Sequence, residues 1–186
     1  MKKKLLIIAV ILIASYLLIG FIYDSLGFKS NDENQEVEYV DLIGDFDRKL
    51  LTKPPYSSWY KENFENYNID IETANEIKNI ITNKIKIKVI MGTWCSDSRE
   101  NVPAFFKIMD YINFRKRNIE IIGLDVDKKN PNEDEIKYNI INVPTFIFLE
   151  NGEEINRIVE ITIESLEKDI LKILNRSGYQ NAYYGF

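Results

Sequence analysis

The stretch VIMGTWCSDSRENVPAFF, residues 89–106, contains the only cysteine of the chain and decides the fold. Lysine alternates with aliphatic residues over 84–91, which is the period-two pattern of a strand entering a core. Ser, Asp and Ser at 96–98 are residue types that start helices, and an apolar stripe with helical spacing continues to about residue 116. The sequence therefore predicts that Cys95 lies between the end of a strand and the N-terminus of a helix.

A thiol at such a junction has a physical reason to be reactive. Unpaired backbone N–H groups and the positive end of the helix dipole favour the thiolate over the thiol at Cys95. Asp97 opposes this effect if it lies close, whereas Ser98, about one turn along, can donate a hydroxyl hydrogen bond to the sulfur. Ser98 cannot attack a mixed disulfide. With one thiol, the chain can form a mixed disulfide with a partner, but its release requires an external thiol.

The rest of the chain alternates between helical and strand patterns. Thr73–Glu76 has the T-x-x-E spacing of a capping box and predicts a helix over 72–83, while Pro103 is expected to interrupt or kink the helix after Cys95. Further predictions are a strand over 119–127, a short helix over 131–138, a hairpin turning at Asn151-Gly152 and a helix capped by Thr162. This order predicts an α/β fold with a mixed central sheet flanked by helices.

Residues 37–83 are predicted to form an N-terminal extension packed on the domain, irregular or partly helical in its first part. The extension carries Pro54, Pro55 and five aromatic residues, namely Tyr56, Trp59, Tyr60, Phe64 and Tyr67. These rings can cover one face of the core, or they can form a lip that faces a substrate.

The N-terminus differs in composition from the rest of the chain. After three lysines, residues 5–23 form an uncharged run of 19 residues. As a helix this run spans roughly 28 Å, close to the roughly 30 Å of bilayer hydrocarbon. Residues 1–23 are therefore predicted as a transmembrane anchor, with a cleaved signal peptide as the alternative. Residues 24–36 are predicted as a linker, and residues 177–186 as a C-terminal tail.

The lysines before the apolar run predict the side of the membrane on which the domain lies. Positively charged flanks stay in the cytoplasm, so the domain is expected on the extracytoplasmic side, in the periplasm, or secreted if residues 1–23 are cleaved. The membrane itself is then a partner, through residues 5–23.

Composition removes several classes of function. The chain has 24 basic and 29 acidic residues and no basic stripe with interleaved aromatics, which argues against nucleic-acid binding. It has one cysteine and no histidine, so the clustered imidazole or thiolate ligands of zinc and copper sites are missing. No metal or cofactor is therefore expected, and a Ser-His or Cys-His dyad is impossible within the chain.

Two segments of the sequence resemble the thioredoxin superfamily. Residues 89–106 resemble its active-site strand, turn and helix, and INVPTFIFLENGEEI, residues 141–155, resembles the segment in which a cis-proline faces the active cysteine. The resemblance covers about residues 84–175, and a thioredoxin-like core is predicted over 84–176. The resemblance implies that Cys95 is the attacking cysteine, beside a substrate groove formed by Trp94, Val143, Pro144 and Thr145.

Three departures from the family pattern affect the expected chemistry. Ser98 stands at the position of the second, resolving cysteine, and Val89 stands where many thioredoxins carry a buried acid. Glu160 stands where they commonly have a glycine near the groove. The predicted catalytic residues are therefore Cys95 and Ser98, in a C-x-x-S site that resembles a bacterial envelope thioredoxin-like protein.

The predicted function is thiol-disulfide exchange by a monothiol domain in cell-envelope redox homeostasis. Its expected partners are protein thiols or disulfides, or a low-molecular-weight thiol that resolves the mixed disulfide. One alternative is a non-catalytic, membrane-tethered module that binds proteins at the Pro144 groove, with Cys95 as a small buried hydrophobe. A dimer joined through two copies of Cys95 is a further alternative.

Overall fold

The computed structural model describes residues 14–16, 18, 19, 22 and 38–185. The chain divides into two units, residues 1–36 and 37–186, and the fold described below is that of the second. The predicted anchor and linker lie mostly outside the described residues. The described residues of the predicted anchor are 14–16, 18, 19 and 22, and they are helical. Within the described part of the chain, no helix combines the length and apolar character that crossing a bilayer requires.

Five strands and five α-helices are described in the second unit. The strands are β1 (Gly44–Asp45), β2 (Ile85–Met91), β3 (Ile119–Gly123), β4 (Thr145–Glu150) and β5 (Glu153–Val159). The helices are α1 (Ser57–Asn66), α2 (Ile71–Ile80), α3 (Ser96–Tyr111), α4 (Asp134–Lys137) and α5 (Leu166–Leu174), and short 3-10 helices cover Arg48–Leu50 and Lys116–Asn118. The predicted α/β fold with a mixed sheet is confirmed.

The sheet places the ends of β2 and β4 side by side. Its strand order is β1-β3-β2-β4-β5, with β2 parallel to β3 and the other neighbours antiparallel. Ile90, near the end of β2, pairs with Thr145, the first residue of β4. Because β2 ends where β4 begins, the turn that carries Cys95 and the loop that carries Pro144 lie side by side at the same end of these two strands.

Alternation along β2 divides the buried side chains between two clusters. Val89 packs in the larger cluster with Phe105 of α3 and Phe146 of β4, whose rings stack with centroids 4.7 Å apart. Ile90 points to the opposite face, where it belongs to a smaller cluster that includes Cys95. The cysteine thus lies on the face of the sheet opposite the main core.

The predicted extension contributes more regular structure than its sequence suggested. Gly44–Asp45 forms strand β1, which pairs antiparallel with the end of β3. A Cβ atom on Gly123 would lie 1.9 Å from the Leu42 carbonyl oxygen, so only glycine permits this close approach. Tyr60 is buried in the main core, and this burial raises its pKa to about 12.

Two predicted helix caps are wrong, because other residues close in the sequence cap these helices. Helix α2 begins after Asp70, whose carboxylate accepts a hydrogen bond from the Thr73 backbone N–H, and ends at Ile80 rather than at residue 83. Helix α5 is capped by Ser165 rather than Thr162. The buried Asp169 carboxylate binds the N–H groups of residues 163 and 164, which keeps this segment out of the helix.

Other element boundaries also differ from the prediction for local reasons. The strand predicted over 119–127 ends at Gly123, because Asp125 accepts hydrogen bonds from two backbone N–H groups of a turn that follows. Helix α3 ends at Tyr111, before Asn113 with its left-handed φ of 58°, and Pro103 lies inside this continuous helix. The short helix α4 begins at residue 134 rather than at 131.

Candidate functional site

A tight turn between β2 and α3 fixes the position of Cys95. The Cys95 backbone N–H donates to the Gly92 carbonyl at 3.1 Å, and the Cys95 carbonyl accepts the first helical hydrogen bond, from Arg99, at 3.0 Å. A Cβ atom at residue 92 would lie 2.5 Å from the Trp94 indole, so a larger residue there would displace this ring. Cys95 is therefore the N-cap residue of α3, as the sequence predicted.

The Cys95 sulfur faces the loop that carries Pro144. Its thiol donates a hydrogen bond of 3.3 Å to the Val143 carbonyl oxygen, and the Val143–Pro144 peptide bond is cis. The residue is buried, with only 9% of its surface exposed, so little of it is open to a reaction partner. The structure thus brings together the cysteine and the proline loop that the resemblance paired.

The side chains of Ser98 and Trp94 both form hydrogen bonds that stabilise the turn. The buried Ser98 hydroxyl accepts a hydrogen bond from the Gly92 backbone N–H at 3.2 Å, which links the first turn of α3 to the end of β2. The Trp94 indole N–H donates to the Leu124 carbonyl at 3.0 Å. That Ser98 donates to a Cys95 thiolate, and that Trp94 contacts a substrate, remain predictions.

The loop around Pro144 is held by Thr145, the first residue of β4, and by Glu160, which follows the hairpin. The Thr145 hydroxyl donates to the Asn142 carbonyl at 2.6 Å, and the Glu160 backbone N–H donates to the Pro144 carbonyl at 2.7 Å. Glu160 has a φ of 58°, in the left-handed region that glycine adopts most readily. Its carboxylate accepts hydrogen bonds from the Asn142 amide at 2.9 Å and from the Tyr183 hydroxyl.

A segment that sequence reasoning missed binds the other side of the turn. Residues 38–43, here called the strap, lie against Thr93. The Thr93 hydroxyl donates to Asp41 at 2.7 Å and accepts from the Leu42 backbone N–H at 3.2 Å, while the Tyr39 hydroxyl donates to the Thr93 carbonyl. No motif in the sequence connects these residues, which lie about fifty positions apart.

Arg99 is a second residue that sequence reasoning missed. Its Nε donates to the Thr93 carbonyl at 2.6 Å, and its Nη2 donates to the Tyr39 hydroxyl at 2.9 Å. The guanidinium carbon lies 5.1 Å from the Tyr39 ring centroid and 5.9 Å from that of Trp59. A fixed positive charge therefore stands beside the turn that carries Cys95.

Comparison with known proteins shows the family of the chain. A family model described as thioredoxin matches residues 46–167. The chain belongs to the thioredoxin family. The match begins inside the predicted extension, so the family's similarity reaches further toward the N-terminus than the two motifs indicated.

Individual thioredoxins show how far the similarity extends. Thioredoxin H2 from Arabidopsis thaliana is 31% identical over 99 residues, which cover 53% of this chain and 68% of that protein. Thioredoxin H-type 1 from Nicotiana tabacum is 27% identical over 104 residues, covering 55% and 78% of the two chains. A Pseudomonas aeruginosa protein of unknown function shares the fold, with a TM-score of 0.54 and 15% identity over 73% of this chain and 94% of its own.

Proposed function

We propose that this thioredoxin-family domain carries out monothiol disulfide exchange through Cys95. The observation that carries the proposal is the position of the only sulfur nucleophile of the chain, at the N-cap of α3 and 3.3 Å from the Val143 carbonyl. The resemblance to thioredoxins puts Ser98 at the position of their second, resolving cysteine. The chemistry open to the site is therefore formation of a mixed disulfide and its release by an external thiol.

Each half of this exchange balances in atoms and electrons. The Cys95 thiolate attacks one sulfur of a partner disulfide, a new S–S bond forms, and the other partner sulfur leaves as a thiolate that takes up a proton. In the second half an external thiolate attacks the partner sulfur of the mixed disulfide. This step regenerates the Cys95 thiolate and leaves the partner joined to the external thiol. The partners are protein thiols or disulfides, or a low-molecular-weight thiol.

The proposed location of this chemistry is the cell envelope. The 19 uncharged residues at 5–23, preceded by three lysines, support an N-terminal membrane anchor with the domain on the extracytoplasmic side. Residues 24–36 then act as a linker between the anchor and the domain. An oxidising compartment would supply the partner disulfides on which Cys95 acts.

A non-catalytic binding module is the second candidate, because Cys95 is buried and aliphatic side chains are exposed on the loop that carries Pro144 and on segments bonded to it. Val126 is 64% exposed and Ile141 is 52% exposed, and the Lys128 ammonium joins their two loops by donating to the Ile141 carbonyl at 2.9 Å. Ile161, which is 52% exposed, follows Glu160 beside the Pro144 loop. Such a surface suits an apolar protein segment without any reaction at Cys95.

Trapping of adducts in cells distinguishes the two candidates. The full chain should yield mixed disulfides on non-reducing gels after rapid acid quenching, and Cys95→Ser should yield none. Pro144→Ala should reduce the adducts severalfold, because the proline fixes φ in the loop that holds the Val143 carbonyl against Sγ.

Matched controls keep this experiment interpretable. Equal cellular amounts of Pro144→Ala and the parent chain show that loss of adducts is not loss of protein. Adduct yields that Pro144→Ala leaves unchanged would argue against the groove, and a complete absence of adducts from the parent chain would favour the binding module. A band at twice the mass that contains this chain alone would instead indicate a dimer through Cys95.

A further inference from the structure

We propose that Glu160 is a positioning residue for Cys95, which holds the Val143 carbonyl oxygen against the thiol and thereby restrains its attack on small disulfides. This role rests on the proposed function and adds to it a group that controls the sulfur. Three observations carry it: the contact of the carbonyl with the thiol, the bonds of Glu160 on both sides of Val143-Pro144, and the tail that holds the Glu160 carboxylate.

The Val143 carbonyl oxygen accepts the hydrogen bond of the Cys95 thiol at 3.3 Å. A hydrogen bond to the neutral form of an acid favours that form. The same oxygen carries partial negative charge, so it repels the thiolate, which is the form of the sulfur that attacks a disulfide. While the carbonyl keeps this position, it therefore restrains the sulfur.

Glu160 binds the proline loop on both sides of Val143-Pro144. Its backbone N–H donates to the Pro144 carbonyl at 2.7 Å, and its carboxylate accepts from the Asn142 side-chain amide at 2.9 Å. The Val143 carbonyl lies between these two points of contact along the chain. One residue therefore limits the rotation of this carbonyl from either side.

Asn142, the residue before Val143, is also held by its other polar atoms. Its side-chain oxygen accepts from the Lys128 ammonium at 2.6 Å, and its backbone carbonyl accepts from the Thr145 hydroxyl at 2.6 Å. With the side-chain N–H on Glu160, both ends of the amide are bonded, which sets its orientation. Of these contacts, the one with Glu160 can be removed without changing the loop itself.

The backbone of Glu160 is itself strained. Its φ of 58° lies in the left-handed region, which is unfavourable for a residue with a Cβ atom. Residues in such conformations persist where several contacts fix them, and they are common at functional sites. The bonds of the Glu160 N–H and carboxylate are contacts of this kind.

The C-terminal tail holds the Glu160 carboxylate. The Tyr183 hydroxyl donates to the same carboxylate oxygen that Asn142 binds. The tail is fixed on the domain, since the buried Tyr179 donates its hydroxyl to Asp169 at 3.2 Å. The segment that the sequence predicted only as a tail is therefore connected to the proline loop through two hydrogen bonds.

Raman spectroscopy of the purified full-length chain measures the thiol contact directly, because Cys95 is the only cysteine and gives the only S–H band. A thiol that loses its acceptor has a higher S–H stretching frequency. We expect Glu160→Ala to raise this frequency. Glu160→Gln should stay close to the parent chain, since a glutamine side-chain oxygen can accept both hydrogen bonds. Both variants keep a Cβ atom at this positive φ, so they differ chiefly in the acceptor.

The rate of adduct formation with 2-hydroxyethyl disulfide, followed by mass spectrometry, measures the consequence for reactivity. The Cys95 sulfur forms a bond to one sulfur of the probe, the S–S bond of the probe breaks, and 2-mercaptoethanol leaves as a thiolate that takes up the proton lost by Cys95. Glu160→Ala should accelerate this reaction about three- to tenfold, the factor that a typical net hydrogen bond represents. Tyr183→Phe should accelerate it less, because the bond from Asn142 to Glu160 remains.

Tyr184→Phe is the matched control, since it removes a hydroxyl from the adjacent residue, whose ring is 65% exposed. It should leave the S–H band and the rate unchanged. Urea denaturation of each variant shows whether the chain remains folded. In cells, where a protein partner also needs an ordered groove, Glu160→Ala should reduce the adducts as Pro144→Ala does.

Each contrary result has a distinct meaning. A faster reaction of Glu160→Ala with an unchanged S–H band would indicate greater exposure of the sulfur and overturn the inference, as would an unchanged rate. Equal effects of Glu160→Gln and Glu160→Ala would also overturn it, because the charge rather than the hydrogen bonds would then be the cause. A parent chain that does not react with the probe would overturn the proposed function, whereas a shifted S–H band in Glu160→Ala would still support the positioning of the carbonyl.

Discussion

Ser98→Cys should convert the chain from a monothiol to a dithiol protein and shorten the lifetime of its mixed disulfides at least 100-fold. The new thiol would lie one helical turn from Cys95, where Cβ atoms are about 5 to 6 Å apart, so a small adjustment reaches the 3.5 to 4.5 Å of a disulfide. Its effective concentration is millimolar or higher, far above about 10 µM of external thiol. Mass spectrometry after addition of a small disulfide should show a rapid change from adduct to internal disulfide.

Ser98→Ala is the matched control for this conversion. It removes the hydroxyl that accepts from the Gly92 N–H but introduces no thiol. Its adduct should therefore persist as long as that of the parent chain in the same buffer. If the Ser98→Cys adduct also persists, residue 98 does not face the sulfur in the reacting state, and the assignment of Ser98 to the resolving position is wrong.

Phe146→Ala should lower the free energy of unfolding by about 3 to 5 kcal/mol, the usual cost of removing a buried phenyl ring. Phe146 is fully buried, pairs with Val89 across β2 and β4, and stacks on Phe105 with ring centroids 4.7 Å apart. Urea denaturation of the purified chain measures the change. Tyr184→Ala is the control, because this ring is 65% exposed and its removal should cost less than about 0.5 kcal/mol.

A loss below about 1 kcal/mol for Phe146→Ala would contradict the packing described for the main core. The result bears on the site as well as on stability. Strand β4 begins at Thr145, directly after Pro144, and pairs with β2 up to Ile90. The ring of Phe146 therefore helps to fix the two strands whose ends carry the proline loop and the cysteine turn.

The central part of the fold could be predicted because its signals are local. Alternation of lysine with aliphatic residues over 84–91 reflects a strand with one face in the core, and β2 covers Ile85–Met91. Asn151-Gly152 has positive φ at both residues, 53° and 91°, which is the backbone of a type I′ turn. Each of these signals is contained within about ten residues.

The strap could not be predicted because it depends on a contact between distant segments, and the helix caps were missed because competing side chains nearby in the sequence bind the backbone. Nothing near Asp41 in the sequence indicates that its carboxylate binds Thr93. Thr162 is a good capping residue by type, but Asp169 binds the backbone just after it and the helix begins after Ser165. A capping preference of about 1 kcal/mol is readily overridden by competing hydrogen bonds of this kind.

One feature of the candidate site was also predicted from the sequence, and another was not. The pairing of Cys95 with Pro144 was expected from the resemblance to a family, and the two lie together in the structure. The charge of Arg99 beside the turn was not expected, since its position depends on Tyr39 and on the fold of the strap. The closeness of Cys95 to the proline loop was therefore predictable from the sequence, whereas the position of the Arg99 charge required the structure.

The most direct test of the central claim is the fate of a mixed disulfide on the purified full-length chain. After reaction with excess 2-hydroxyethyl disulfide and its removal, mass spectrometry should show one adduct per chain, located at Cys95. The adduct should persist in thiol-free buffer and disappear within minutes of adding a millimolar thiol. Failure to form the adduct, or its loss without any added thiol, would contradict monothiol exchange at Cys95.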